Sequence, residues 1–263
     1  MSEHDSPADP SIALLVDWTN KFNEQSALLL TPEARQLSDL SVAYVNMRNQ
    51  VQNPASEFGE DTIKQFHSTL AQHIPDSGPG RYFTGPRKIL LDKSWSFTPF
   101  IEGKDKLPAM EQLGSDYGRY MQYGVASPED APEVVQMATD IMTRICHIHP
   151  FFDGNGRLSR LLADSIFLRA GMLQVPYWTK PELNPSERKK FLHELVVSSV
   201  KGYPDELNRF LAQEQIRANE DVAEALEDDP RTQGLLSAGV EAQRQKKYIK
   251  VLRRFIDNLG VAS

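Results

Sequence analysis

Between His147 and Arg160 the chain reads His-Ile-His-Pro-Phe-Phe-Asp-Gly-Asn-Gly-Arg-Leu-Ser-Arg, a run with almost no ordinary helix composition. An unperturbed imidazole can exchange a proton near neutral pH, which makes His149 a candidate general base. Asp153 offers a hard carboxylate oxygen to Mg²⁺. Gly154 and Gly156 let the backbone turn and bring its N–H groups close to a ligand. The apolar run from Leu158 to Leu168 starts a helix there. The amides at a helix N-terminus, with its dipole, favour an anion. Arg157 and Arg160 are three residues apart and can share one face of the first turn. Two guanidiniums beside such amides suit a polyphosphate.

Other chemistries use similar residues. Asp-Gly-Asn-Gly resembles the start of an EF-hand loop, but Arg157 takes a ligand position and Asp164 stands where a bidentate glutamate belongs. His147, His149 and Asp153 offer donors to a transition metal, yet beyond Cys146 no further His or Cys has recognisable spacing. His147 reads equally well as a helix C-terminal or core histidine. A purely structural loop would not need two glycines, an acid and two arginines together.

The flanking elements must position this loop. Pro150 ends the helix before it, whose stripe is Val134, Ala138, Ile141 and Ile145, opened by Ser127-Pro128-Glu129-Asp130. The helix after it is apolar on most sides, which makes it central, and Gly171 stops it. One of Phe151 and Phe152 is expected to anchor the loop to the core. Upstream, helices are expected from Ser11, from Thr31-Pro32 with the stripe Leu37, Leu40, Tyr44, Met47 and Val51, over Ile63 to Ile74, and over Leu107 to Tyr117. Residues 81–101 are rich in aromatic and branched residues and predict a hairpin, with an edge that could recruit an extended peptide. Downstream, Asn184-Pro185 and Pro204 begin further helices. The last helix has Tyr248, Val251, Leu252, Phe255 and Leu259 as its stripe. Its other face carries Arg244, Lys246, Lys247, Lys250, Arg253 and Arg254, a solvated face or one for an acidic partner or membrane surface.

The 263 residues are 40% hydrophobic, enough for a sizeable core. A net charge of −7 and a pI near 5.4 argue against nucleic-acid binding as the main function. Cys146 is the single cysteine, so no internal disulfide forms. No apolar run reaches membrane-spanning length and the acidic start is not signal-like, which predicts a cytoplasmic protein. Secretion as an effector injected into another cell is compatible with this composition. A homo-oligomer is left open.

The loop resembles the signature of the Fic family, H-P-F-x-[DE]-G-N-G-R-x-x-R, at every specified position from His149 to Arg160. The Phe66-His67 pair, the Gly80-Arg81-Tyr82 turn, the hairpin and the Leu107–Leu113 helix extend it more weakly over roughly residues 12–215. The resemblance implies a mostly α fold: a Fic-type helical core with one β-hairpin flap beside the active loop. Residues 1–10, polar with two prolines, are expected to be a disordered tail; 11–75 are N-terminal helices that the resemblance makes candidates for regulation, 76–215 the core with the flap at 81–101, and 216–263 a helical extension that the resemblance does not reach.

The implied activity is a protein adenylyltransferase, moving AMP from ATP to a Ser, Thr or Tyr hydroxyl of a protein docked on the flap. His149 would be the base and Asp153 the Mg²⁺ ligand. Gly154, Asn155, Gly156, Arg157 and Arg160 would hold the phosphates. Similar proteins carry a tyrosine pair where this chain has Phe191-Leu192, and an asparagine near Ser199. Transfer of another nucleotide or phosphate-containing group, removal of AMP, and a silent nucleotide-dependent binding module therefore stay open. Family members with an inhibitory helix show [ST]-x-x-x-E-[GN]. Asn20-Lys21-Phe22-Asn23-Glu24-Gln25 occupies that place imperfectly and makes Glu24 the candidate inhibitory residue toward Arg160. Ser159 stands where many relatives have glycine.

Overall fold

The computed structural model describes residues 32–74, 78–85, 89–92, 95–97, 101, 103–124, 127–175, 177, 185–228 and 236–259. The helix expected from Ser11, with Glu24, lies outside them. The described elements are mostly helical: α1 (Pro32–Gln52), α2 (Glu60–Leu70), α3 (Lys106–Met121), α4 (Ala131–Ile148), α5 (Asn155–Arg169), α6 (Pro185–Val200), α7 (Asp205–Asp228) and α8 (Leu236–Leu259). Several ends follow local chemistry. Pro32 opens α1, and the chain leaves it before Asn53-Pro54. A capping box between Ser127 and Asp130 precedes α4.

Helix α5 is the centre. Leu158, Leu161, Leu162, Ala163, Ile166 and Phe167 are buried almost all round it. It packs against α4 most extensively, and against α1, α2 and α3. Polar ties fix its axis: the Tyr117 and Ser165 hydroxyls meet at 2.9 Å, and Arg169 donates to the carbonyls of Met121 and Val51. Gly114 of α3 lies where a Cβ would be 2.6 Å from the Glu60 nitrogen, so glycine lets α3 approach the start of α2. Of the expected stripe, Met47 and Val51 are buried, joined by Ala43, while Leu37 is 48% exposed against expectation.

Helix α4 also contacts α6, α7 and α8, and α7 lies along α8. One continuous helix, α7, runs through residue 215. The basic face of α8 is partly neutralised: Lys246 pairs with Glu227, Arg253 with Glu220 and Arg244 with Glu241. Two short backbone stretches, β1 (Ile89–Asp92) and β2 (Trp95–Phe97), run antiparallel with Ile89 opposite Phe97 and an irregularity between Leu90 and Asp92. The residues joining and flanking them lie outside the described set. No helix among the described residues is long and apolar enough to cross a membrane.

Candidate functional site

The loop begins where α4 ends. His149 caps α4 with φ 48° and ψ 60°, and its N–H still donates to the Ile145 carbonyl at 2.9 Å. It is the one non-glycine residue with positive φ among the described residues. The left-handed cap turns the chain sharply, and Pro150 then prevents the helix from continuing. Four residues later Gly154, at φ 83°, forms the cap of α5. A Cβ there would sit 3.4 Å from His67 Nε2 in a backbone conformation that side chains resist, so glycine is required. Asn155, Gly156 and Arg157 hold the first three helical positions, whose N–H groups have no acceptor within the helix.

Three buried side chains hold this shape. His67 of α2 is fully buried and stacked on Phe151, centroids 3.7 Å apart and planes within 7°. The Gly80 N–H donates to Nδ1 at 3.0 Å, so the ring proton sits on Nε2, which donates to the Asp153 carbonyl at 2.8 Å. Burial pushes the His67 pKa down to about 4, against the opposing effect of its Asp153 hydrogen bond, which keeps this tautomer neutral. Asn155, 2% exposed, accepts from the Phe151 N–H at 3.0 Å and donates to the Phe151 carbonyl at 2.8 Å. Its amide is therefore spent on closing the loop, which differs from the expected side-chain contact to phosphate. Lys106 of α3, 2% exposed, donates to the carbonyls of His149 and Phe83, each at 3.1 Å.

Aromatic packing completes the support. Phe151 is the anchor and is fully buried, while Phe152 is half-buried edge-on to Phe83 at 5.3 Å. Tyr82 packs on Phe151 and hydrogen-bonds Glu60 at 3.0 Å.

The charged side chains gather on the outer side of this framework. The Asp153 carboxylate is 55% exposed, and one of its oxygens accepts from the Gly154 N–H. A single accessible carboxylate fits Mg²⁺, which keeps several waters and takes other oxygens from phosphates. Among the described residues no group of three His, Cys, Asp or Glu could hold a metal, so the transition-metal alternative gains nothing. Arg157 lies 3.9 Å from Asp153 and 3.4 Å from Gln36 Oε1. Burial lowers its pKa, Asp153 opposes that, and the charge of Arg160 lowers it further. The Arg160 guanidinium lies 6.0 Å from the Tyr177 ring centroid.

Behind Arg160, Asp164 is 1% exposed and accepts from the Tyr44 hydroxyl at 2.7 Å and the Val175 N–H at 3.1 Å. Burial pushes its pKa up to about 7, although both donors pull it down. Ser159 is buried and donates to the Gly156 carbonyl. Cys146 is a half-buried thiol pushed up to about 11 by burial. His147 lies in the last turn of α4, its pKa lowered by burial.

The loop thus brings His149, Asp153, Gly154, Asn155, Gly156, Arg157 and Arg160 together, while Glu24 lies outside the described residues. Phe191 packs edge-on against Phe210, and Ser199 meets the Thr143 hydroxyl at 2.7 Å, so both join α6 to its neighbours. Sequence reasoning missed the support given by Lys106, Asp164 and Tyr44. His67 entered it only as half of a resemblance.

Comparisons with known proteins agree with this geometry. Residues 57–167 match the family model described as Fic/DOC family. Curated relatives from Drosophila erecta and Drosophila yakuba, each named Protein adenylyltransferase Fic, are 40% identical over 57 residues. That match covers 21% of this chain and 10% of each relative. The chain therefore matches about a tenth of their length. A crystal structure of a Fic domain containing signaling protein from Bacteroides thetaiotaomicron shares the fold, with TM-score 0.55 at 17% identity over 98% of this chain and 93% of that one. Residues 57–167 thus match the Fic/DOC family, and the chain shares its fold with a Fic domain containing protein.

Proposed function

We propose that this chain is a protein adenylyltransferase that moves AMP from ATP to a Ser, Thr or Tyr hydroxyl of a target protein. The observation that carries the reading is the loop itself: His149 turns out of α4 immediately before the open N-terminus of α5, which bears Arg157 and Arg160. Relatives named adenylyltransferase support the same chemistry at family level.

The target oxygen attacks the α-phosphorus of ATP, and its proton passes to His149. Nδ1 of His149 is buried, which leaves Nε2 to face the hydroxyl. The bond from the α-phosphorus to the bridging oxygen breaks, and pyrophosphate leaves in line. The N–H groups of Asn155, Gly156 and Arg157 stabilise the oxygens that gain charge. Arg157 and Arg160 clamp the outer phosphates. Bound Mg²⁺, held by Asp153, would neutralise charge on the phosphates.

The β1–β2 segment would act as the flap, holding an extended stretch of the target by its edge. The Phe83 N–H, just before it, donates to the Pro150 carbonyl at 2.8 Å and ties its root to the loop. Glu24 would restrain the enzyme by pairing with Arg160.

The test incubates the full chain and a cell lysate with labelled ATP, GTP, UTP and CTP in turn. Label on protein from ATP alone supports the reading. His149→Ala should lose roughly a hundredfold or more in rate while keeping nucleotide affinity. Label from another nucleotide would change the donor. No label from any nucleotide, or equal rates for the variant, would overturn the assignment.

A further inference from the structure

Lys106 stands where a lysine is disfavoured twice over. It is the first residue of α3, where the helix dipole repels a cation, and the first turn holds no acidic residue. It is also 2% exposed, and burying a cation is costly unless its donors are used. Its Nζ makes use of them at the carbonyls of His149 and Phe83, each at 3.1 Å. The first of these carbonyls belongs to the residue in left-handed backbone conformation, which a side chain other than glycine adopts only when held there. The second belongs to the residue whose N–H donates to Pro150. Lys106 to His149, Lys106 to Phe83 and Phe83 to Pro150 therefore close a ring of three hydrogen bonds around the turn that presents the imidazole.

We infer that Lys106 is a positioning residue, locking the backbone of His149 to the strand-entry segment at Phe83 so that base and flap share one reference point. This rests on the adenylyl-transfer reading for its catalytic consequence, though not for its structural one. The two carbonyls come from segments far apart in sequence, and α3 supplies the group that joins them. Without it, His149 can relax from the left-handed turn, and the root of the flap can shift independently of the loop. The phosphate-holding amides are fixed separately by His67 and Asn155, so nucleotide binding should be spared.

The test compares Lys106→Met, which keeps the stem and removes the donors, with Lys106→Gln, which keeps a neutral donor. Transfer from labelled ATP should fall tenfold or more in kcat for Met and less for Gln. The KM for ATP and the affinity for a non-hydrolysable ATP analogue should stay within about twofold of wild type. Thermal stability should fall modestly in Lys106→Met, since two carbonyls lose their donor, and less in Lys106→Gln. Hydrogen exchange of the Phe83 amide should accelerate tenfold or more, with the α5 core amides unaffected.

That last readout does not need turnover. If wild type labels nothing but Phe83 exchange accelerates, the positioning role stands and the adenylyl-transfer reading fails. Wild-type kcat in a folded Lys106→Met, or unchanged exchange at Phe83, would overturn the inference. So would kcat and nucleotide affinity falling together in both variants.

Discussion

Replacing His67 with phenylalanine should weaken the fold at neutral pH and much less in acid. The new ring can keep the stacking on Phe151, so the principal loss is two hydrogen bonds. The Gly80 N–H and the Asp153 carbonyl then lose their partner. Leaving a buried polar group unsatisfied costs about 1–3 kcal/mol. Both groups lie in partly exposed segments that water can reach, so about 2–3 kcal/mol in total is expected near pH 8.

The pH dependence follows from the pKa of His67, depressed by burial to about 4. A depressed histidine contributes stability that is present above its unfolded value, near 6.5, and is lost as pH falls toward the folded value. At pH 5 the unfolded chain binds a proton that the folded one refuses, costing wild type about 2 kcal/mol relative to pH 8. His67→Phe has no such proton, so the gap between the proteins should shrink to about 1 kcal/mol or less. Urea unfolding followed by circular dichroism at both pH values reads this directly. A gap that stays constant from pH 8 to pH 5 would refute the neutral, buried histidine described here.

Other outcomes test neighbouring parts of the site. Asp164→Asn should gain stability relative to wild type as pH rises. The folded pKa of Asp164 is raised by burial to about 7, so its contribution is full below about pH 4 and lost toward pH 7. Melting temperatures at pH 5 and pH 8 with the same offset would contradict this. Asp153→Ala should abolish the Mg²⁺ dependence of transfer along with its rate. Unchanged Mg²⁺-dependent ATP affinity by calorimetry would remove Asp153 from the metal role. Glu24→Gly should raise self-labelling with ATP roughly tenfold or more, the value of a lost charge-assisted pair. Unchanged labelling in a folded variant would return Glu24 to the surface.

The loop was legible because its chemistry and its backbone demand the same residues. Gly154 is needed both for its positive φ and for close approach to His67, and Pro150 both ends α4 and frames the turn. Helix starts at Pro32 and around Ser127 were legible from caps and proline alone. Leu37 misled because periodicity marks a face of α1 without saying how far along the helix the core reaches. Asn155 misled differently. An amide suits a phosphate oxygen and a backbone carbonyl equally, and only the folded turn shows that Phe151 takes both of its ends. His67, Lys106 and Tyr44 lie 86, 43 and 120 residues from the groups they hold, and no local pattern announces such contacts.

These remote supports share an electrostatic logic with the loop they hold. An anion site needs N–H groups and guanidiniums turned outward, so the carbonyls of the same turn must be satisfied from within. His67 takes that of Asp153, Asn155 that of Phe151, and Lys106 that of His149. None of the three adds negative charge near the phosphate positions. Asp153, the acid within the loop, is the half-exposed one, where a hydrated cation could meet it. The acid behind Arg160 is buried with its pKa raised to about 7, so near neutral pH it need not carry a full charge against the guanidinium. Burial first lowers the Arg157 pKa, and the charge of Arg160 adds repulsion to it against the pull of Asp153. A bound polyanion would relieve that repulsion, which links the rigidity of the turn to the charge of the ligand it suits.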